Sequence, residues 1–193
     1  MRGFVVDAST LLAGVVGRPE GTPALILPAL IDSKFDALAC PRLLAEVSRG
    51  LESRHFRARL EEGQAADIVA AISESTVHLR DPDNPEPVLR DPVDDYLVAL
   101  ARAGGAEAII TGDKNLLEHI GLDPPPAITR AACQLLGLIE SAAESLGADP
   151  SPSKPKRQRT LDFCLFAPKY IAKSGKIRES YGPVDRSFFP AYD

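Results

Sequence analysis

The run Phe4-Val5-Val6-Asp7, continued by Ala8-Ser9-Thr10, is a block of β-suited residues closed by a carboxylate. An apolar run this brief reads as a buried strand rather than a helix. Asp7 falls where that strand ends, ahead of the helical-looking Leu11-Leu12-Ala13. In an open α/β sheet, ligands gather outside the carboxyl ends of the strands. An Asp at such a point also reads as the cap of the next helix, because its side chain takes up an orphan backbone N–H. The other acids of the chain decide between the two.

Working outward, Thr22-Pro23-Ala24 has the form of a helix start, with a cap residue before a proline in the first helical position. Phe35 to Cys40 reads as a second strand. Pro41 starts another helix, with Leu43, Leu44, Val47 and Leu51 at helical spacing and Glu46 in its second turn. Helices over Phe56–Leu60 and Ala65–Ile72 precede a short strand at Thr76–Leu79. Four prolines between Asp81 and Pro92 mark a loop, since proline fits neither helix interior nor central strand. Val93–Ala103 reads as a helix ended by Gly104-Gly105, and Ala108–Thr111 as a fourth strand closed by Gly112-Asp113. Ala127-Ile128 offers a fifth strand, followed by a helix over Arg130–Leu146. The alternation predicts an α/β fold, a mostly parallel sheet of four to five strands with helices on both faces.

A length of 193 residues with 45% hydrophobic content suits one domain with a real core and an appendage. The expected boundaries are a domain over 1–148, a Pro/Ser/Lys/Arg linker over 149–160 and an extension over 161–193. Residues 1–150 hold 13 Lys/Arg against 23 Asp/Glu, a net of −10, whereas residues 151–193 hold 9 against 4, a net of +5. An acidic body does not attract nucleic acid without local basic patches. The extension carries seven of the chain's eleven aromatic residues, so parts of it are expected to dock on the body or on a partner. Cys40, Cys133 and Cys164 have neither zinc spacing nor the even count of a disulfide framework, which fits a reducing cytoplasm. No signal-peptide pattern and no membrane-spanning apolar run is visible, so a soluble cytoplasmic protein without membrane contact is expected.

The acids then fall into place. Asp7 and Asp113 close strands, Asp94-Asp95 lie in the first turn of a helix, and Glu46 lies early in the helix after the second strand. A parallel sheet brings all five to one edge. Clustered carboxylates raise one another's pKa at a cost in free energy. A hard divalent cation reverses that cost, because Mg²⁺ and Mn²⁺ prefer oxygen ligands.

Asp7-x-Ser9, Pro41-x-Leu43-Leu44-x-Glu46, Asp91-Pro92-x-Asp94-Asp95-x-Leu97-x-x-x-Ala101 and Thr111-Gly112-Asp113-Lys114-x-Leu116-Leu117 together resemble the PIN-domain family. The resemblance covers about residues 3–140 and leans toward the toxins of toxin–antitoxin systems, the VapC-like ribonucleases. It implies a Rossmann-like fold and a metal-dependent nuclease. Asp7, Glu46 and Asp113 match the family's first, second and last acids; the third is Asp95 or Asp94, and the spacing to Thr111 favours Asp95. The implied catalytic set is therefore Asp7, Glu46, Asp95 and Asp113. Asp7, Asp95 and Asp113 hold Mg²⁺ or Mn²⁺, and Glu46 orients a second ion or the attacking water. Ser9 and Thr111 match polar positions that steady the site. The implied product end is a 3′-hydroxyl. Asp91 reads as a helix N-cap, and His55, His78 and His119 as structural or surface groups.

Substrate contacts are less legible. Lys114 adjoins Asp113 and is the better candidate for phosphate contact. Arg49, Arg54, His55, Arg57 and Arg59 form a basic stripe with two readings: phosphate contact, or a solvated face paired with Glu52, Glu61 and Glu62. The expected function is endoribonuclease toxin, with RNA as substrate, a cognate antitoxin as partner and a homodimer as the family's habit. Lys154, Lys156, Arg157 and Arg159 would lie over the acidic cleft or hold RNA. A phosphoreceiver module needs an Asp closing its third strand, where this chain has His78-Leu79-Arg80. A haloacid-dehalogenase-type phosphatase needs Asp-x-Asp where this chain has Asp7-Ala8-Ser9. The alternative is a PIN-fold binding or scaffold module without catalysis.

Overall fold

In the computed structural model, which describes residues 3–17 and 21–139, Gly3–Val6 forms strand β1. It is joined by β2 (Asp36–Ala39), β3 (Thr76–His78), β4 (Ala108–Thr111) and β5 (Pro126–Ile128). All pairings are parallel, in the order β3-β2-β1-β4-β5, so β1 lies in the middle. A central parallel strand is covered on both faces and shows no polar alternation. Phe4, Val5 and Val6 are accordingly all buried, and Phe4 meets Phe35 edge to face with ring centroids 5.7 Å apart.

Two helices, α1 (Ala8–Val16) and α2 (Pro23–Ile31), connect β1 to β2. Three more, α3 (Pro41–Leu51), α4 (Arg54–Arg57) and α5 (Gln64–Glu74), lead to β3. Helix α6 (Asp95–Ala103) precedes β4, α7 (Lys114–Leu117) links β4 to β5, and α8 (Thr129–Leu135) follows. Helix α1 packs on α2 and α3, and α3 on α5. Right-handed crossovers put this layer on one face of the sheet and α6 on the other, against β1, β2 and β4. The seam of α1 and α2 is tight at Gly14, where a Cβ would come within 2.9 Å of the Leu27 Cβ and the Pro23 carbonyl oxygen.

The strand order reverses between β1 and β4, which opens a crevice at their carboxyl ends. The register Val6↔Ile110 sets Asp7 level with Thr111 across it.

Three local expectations are corrected. Thr22 precedes α2 but makes no side-chain cap bond; its Oγ1 lies 2.7 Å from the Thr129 Oγ1 instead, tying the starts of α2 and α8 together. The helix expected from Val93 begins as a 3₁₀ turn, Pro92–Asp94, with Asp91 capping it through the Val93 N–H at 3.1 Å, as anticipated. The long helix from Arg130 stops at Leu135, and Gly137 follows with φ 67°, a left-handed value that glycine adopts at little cost. The rest of that expected helix, the linker, the extension, Cys164 and the basic residues Lys154 to Arg159 lie outside the described residues. The chain divides at Gln158 into two units, and every described residue belongs to the first. Among the described residues no helix is long and apolar enough to cross a membrane.

Candidate active site

Asp7 is built in by both of its neighbours in space. Its backbone N–H donates to the Ile110 carbonyl at 3.0 Å, extending the β1–β4 ladder by one rung. Its Oδ1 accepts the Ser9 backbone N–H at 3.3 Å and so caps α1. Its Oδ2 accepts the Ser9 hydroxyl and, at 2.9 Å, the Thr111 hydroxyl. Capping and site placement are therefore two roles of one carboxylate, not rivals.

Thr111 is wholly buried and uses both capacities of its hydroxyl. It donates to Asp7 and accepts the Asp113 backbone N–H at 2.9 Å. One side chain thus fixes the strand-end loop against the first acid. Asp113 in turn caps α7 through the Asn115 N–H at 2.8 Å, with its side chain exposed.

The adjacent pair Asp94-Asp95 is separated by the fold. Successive helical residues point about 100° apart, so only one of the two can face the crevice. Asp95 is buried, and its Oδ1 accepts the Val88 and Leu89 N–H groups at 3.0 and 2.7 Å. It pins the proline-rich loop beside the buried Leu89. Asp94 is the one beside the other acids. Burial first, and then the charges of Asp7, Asp113, Asp91 and Glu46, together push its carboxyl up from 3.8 to about 6. The preference for Asp95 drawn from spacing therefore meets a carboxylate already engaged elsewhere.

Glu46, on α3, is held by two residues that sequence reasoning missed. The hydroxyl of the fully buried Tyr96 donates to its Oε2 at 2.6 Å. Arg42 pairs with its Oε1 at 3.6 Å and lies over the Tyr96 ring at 4.1 Å. Arg42 is itself anchored, its Nη2 donating to the Val93 carbonyl at 2.6 Å and its backbone N–H to Asp81 at 2.8 Å. Burial, then the Glu46 bond and charge, push the Tyr96 hydroxyl up, so it remains a donor. Arg42 had a sequence signal, the i,i+4 spacing to Glu46. Tyr96 had none, standing fifty positions away. The nearby Cys40 thiol is pushed up to about 12, chiefly by burial, and stays neutral rather than nucleophilic.

Ser9 and Lys114 sit beside Asp7 and Asp113 with exposed side chains. Arg49 and Arg54 are not in the cluster: α3 runs back from the carboxyl edge, so they lie progressively farther from it. His55 and His78 have local partners in Arg59 and Ser73.

Among the described residues, no three His, Cys, Asp or Glu side chains converge closely enough to hold a metal ion as they stand. The donor chemistry nonetheless fits a hard divalent cation, since the acids at this edge are all oxygen donors and Asp94 is destabilised by its like-charged neighbours.

These features define a doubly wound α/β protein with an acidic site at its switch point. The family model of the PIN domain matches residues 3–115, more than half the chain and all of these acids, and the chain belongs to the PIN-domain family. PIN domains are generally nucleases, hydrolases that act on nucleic acid and use divalent metals. No curated protein and no solved structure matches the chain.

Proposed function

We propose that the protein is a metal-dependent endoribonuclease, with Mg²⁺ or Mn²⁺ held by Asp7, Asp94 and Asp113, and that it serves as the toxin of a toxin–antitoxin pair. The observation that supports this best is Asp94, a carboxyl raised to about 6 beside Asp7, Asp113 and Glu46. A fold keeps such an arrangement when a cation or a phosphoryl reaction uses it. Asp95 is not assigned as a ligand because its Oδ1 holds two loop amides.

Each residue has a separate task. Ser9 and Thr111 orient Asp7, and Thr111 also sets where Asp113 stands. Tyr96 holds one oxygen of Glu46 and Arg42 pairs with the other at 3.6 Å, which fixes the carboxylate where it orients the attacking water. Lys114, beside Asp113, contacts the phosphate. The bound ion supplies charge neutralisation at phosphate and a water of lowered pKa. Preference for RNA and the toxin role rest on the motif resemblance alone.

Thermal unfolding with increasing Mn²⁺, paired with cleavage of single-stranded RNA, tests the proposal. Wild type should gain stability with Mn²⁺ and cleave only when a divalent ion is present. Asp7→Asn and Asp113→Asn should lose both responses. If wild-type stability ignores Mn²⁺ and no RNA is cut, the PIN fold here is a non-catalytic binding module.

A further inference from the structure

We infer that the exposed face running from the end of α3 over α4 is a track for the phosphate backbone of a single-stranded nucleic acid, carried by Arg49, Arg54, Arg57 and Arg59. The inference rests on the nuclease proposal for its occupant, and on the arginines' surroundings for its place. Sequence alone left these residues between phosphate contact and pairing with Glu52, Glu61 and Glu62. None of those pairs forms. Among the described residues the ion pairs are Arg42–Glu46 and Arg102–Glu86, and no carboxylate lies within pairing distance of the four arginines.

Their exposure has a structural cause. Phe56 is buried against the core and anchors the short α4, so Arg54, His55 and Arg57 around it face outward. The side chains of Arg54 and Arg57 make no hydrogen bond or ion pair among the described residues, while Arg59 Nη1 donates to the His55 carbonyl at 2.8 Å. Arg49 Nε donates to the Ala45 carbonyl at 3.3 Å, which lays its guanidinium back along α3 toward the turn that carries Glu46. Carbonyl partners orient a guanidinium without cancelling its charge. Four arginines thus begin one helical turn from Glu46, outnumbering the exposed Glu52, Glu61 and Glu62 of the same stretch and ion-paired with none of them, in a body whose first 150 residues carry a net of −10.

That contrast points to the occupant. The acid cluster repels a polyanion, so cations outside it must supply the electrostatic attraction in the absence of metal. Guanidinium forks match phosphate oxygens in pairs, and such contacts position a strand without reading its bases. Each phosphate contact also releases counterions, which makes the track measurable apart from catalysis.

The experiment is fluorescence anisotropy in EDTA with labelled single-stranded RNA and DNA of one sequence, titrated at several salt concentrations. Replacing Arg54, Arg57 and Arg59 together by Gln should weaken binding at least about tenfold at low salt. It should lower the log–log salt slope by about 2, three contacts at about 0.7 each. The matching triple Lys variant should keep most of the slope, which a loss of folding would not permit. A Gln variant that binds with wild-type affinity and slope overturns the track, as does wild type that binds poly-glutamate as tightly as either strand. Cleavage that fails while binding and slope behave as expected sinks the nuclease proposal and leaves the track standing. A Gln variant that binds and cuts like wild type does the reverse.

Discussion

Asp94→Asn removes a charge that burial and like-charged neighbours make costly for the metal-free fold to hold. The carboxyl stands at about 6 instead of 3.8, through burial first and then the charges of Asp7, Asp113, Asp91 and Glu46. Between these values the folded protein keeps a proton that the unfolded chain has released. Stability therefore falls as pH rises from about 4 to about 6, and above that window the whole penalty is present. At about 1.36 kcal/mol for each pH unit, the rise from 3.8 to about 6 corresponds to about 3 kcal/mol. Asp94 is only partly buried and water screens its neighbours, so the expected effect is nearer about 1 kcal/mol. For a chain of this length that shifts the melting temperature by about 2–4 °C. Thermal melts in EDTA, followed by circular dichroism from about pH 4 to about pH 7.5, measure it. The variant should be the more stable protein at the upper end, and its advantage should vanish toward the lower end. Mn²⁺ should then stabilise wild type and not the variant, reversing their order. An advantage that does not change with pH, or a variant less stable than wild type near neutrality without metal, would refute the electrostatic account of this site.

Three other substitutions probe the scaffold around it. Thr111→Val keeps the shape but strands the Asp113 N–H and takes a donor from Asp7, so urea unfolding should show a loss of about 1–3 kcal/mol together with weaker Mn²⁺ stabilisation. Tyr96→Phe deletes the donor to Glu46; we expect about 1.5 kcal/mol of destabilisation, and a double-mutant cycle with Arg42→Gln should be non-additive because the two residues share one carboxylate. A strictly additive cycle would show that they act separately. Asp95→Ala frees the Val88 and Leu89 amides, and native-state hydrogen exchange should accelerate at those two positions while Mn²⁺ stabilisation persists. Loss of the Mn²⁺ response in that variant would restore Asp95 as the metal ligand.

The sequence by itself determined the parallel α/β architecture and two of the acids, because those depend on local pattern. Phe4-Val5-Val6 and Ala108-Ile109-Ile110 are continuous apolar runs of the kind that doubly covered strands require, and each is closed within a few residues by a carboxylate. Local pattern is therefore enough to set Asp7 and Asp113 at strand ends. The tertiary structure alone separated Asp94 from Asp95. Both suit the first turn of a helix, and the choice depends on which loop amides, here those of Val88 and Leu89, need an acceptor. It alone paired Tyr96 with Glu46 across fifty positions, since a hydroxyl and a carboxylate on different helices have no shared period. It also left the arginines of α4 without carboxylate partners among the described residues. Long charged side chains pair according to where neighbouring turns place their ends, and that is decided by packing around Phe56 rather than by the order of residues along the chain.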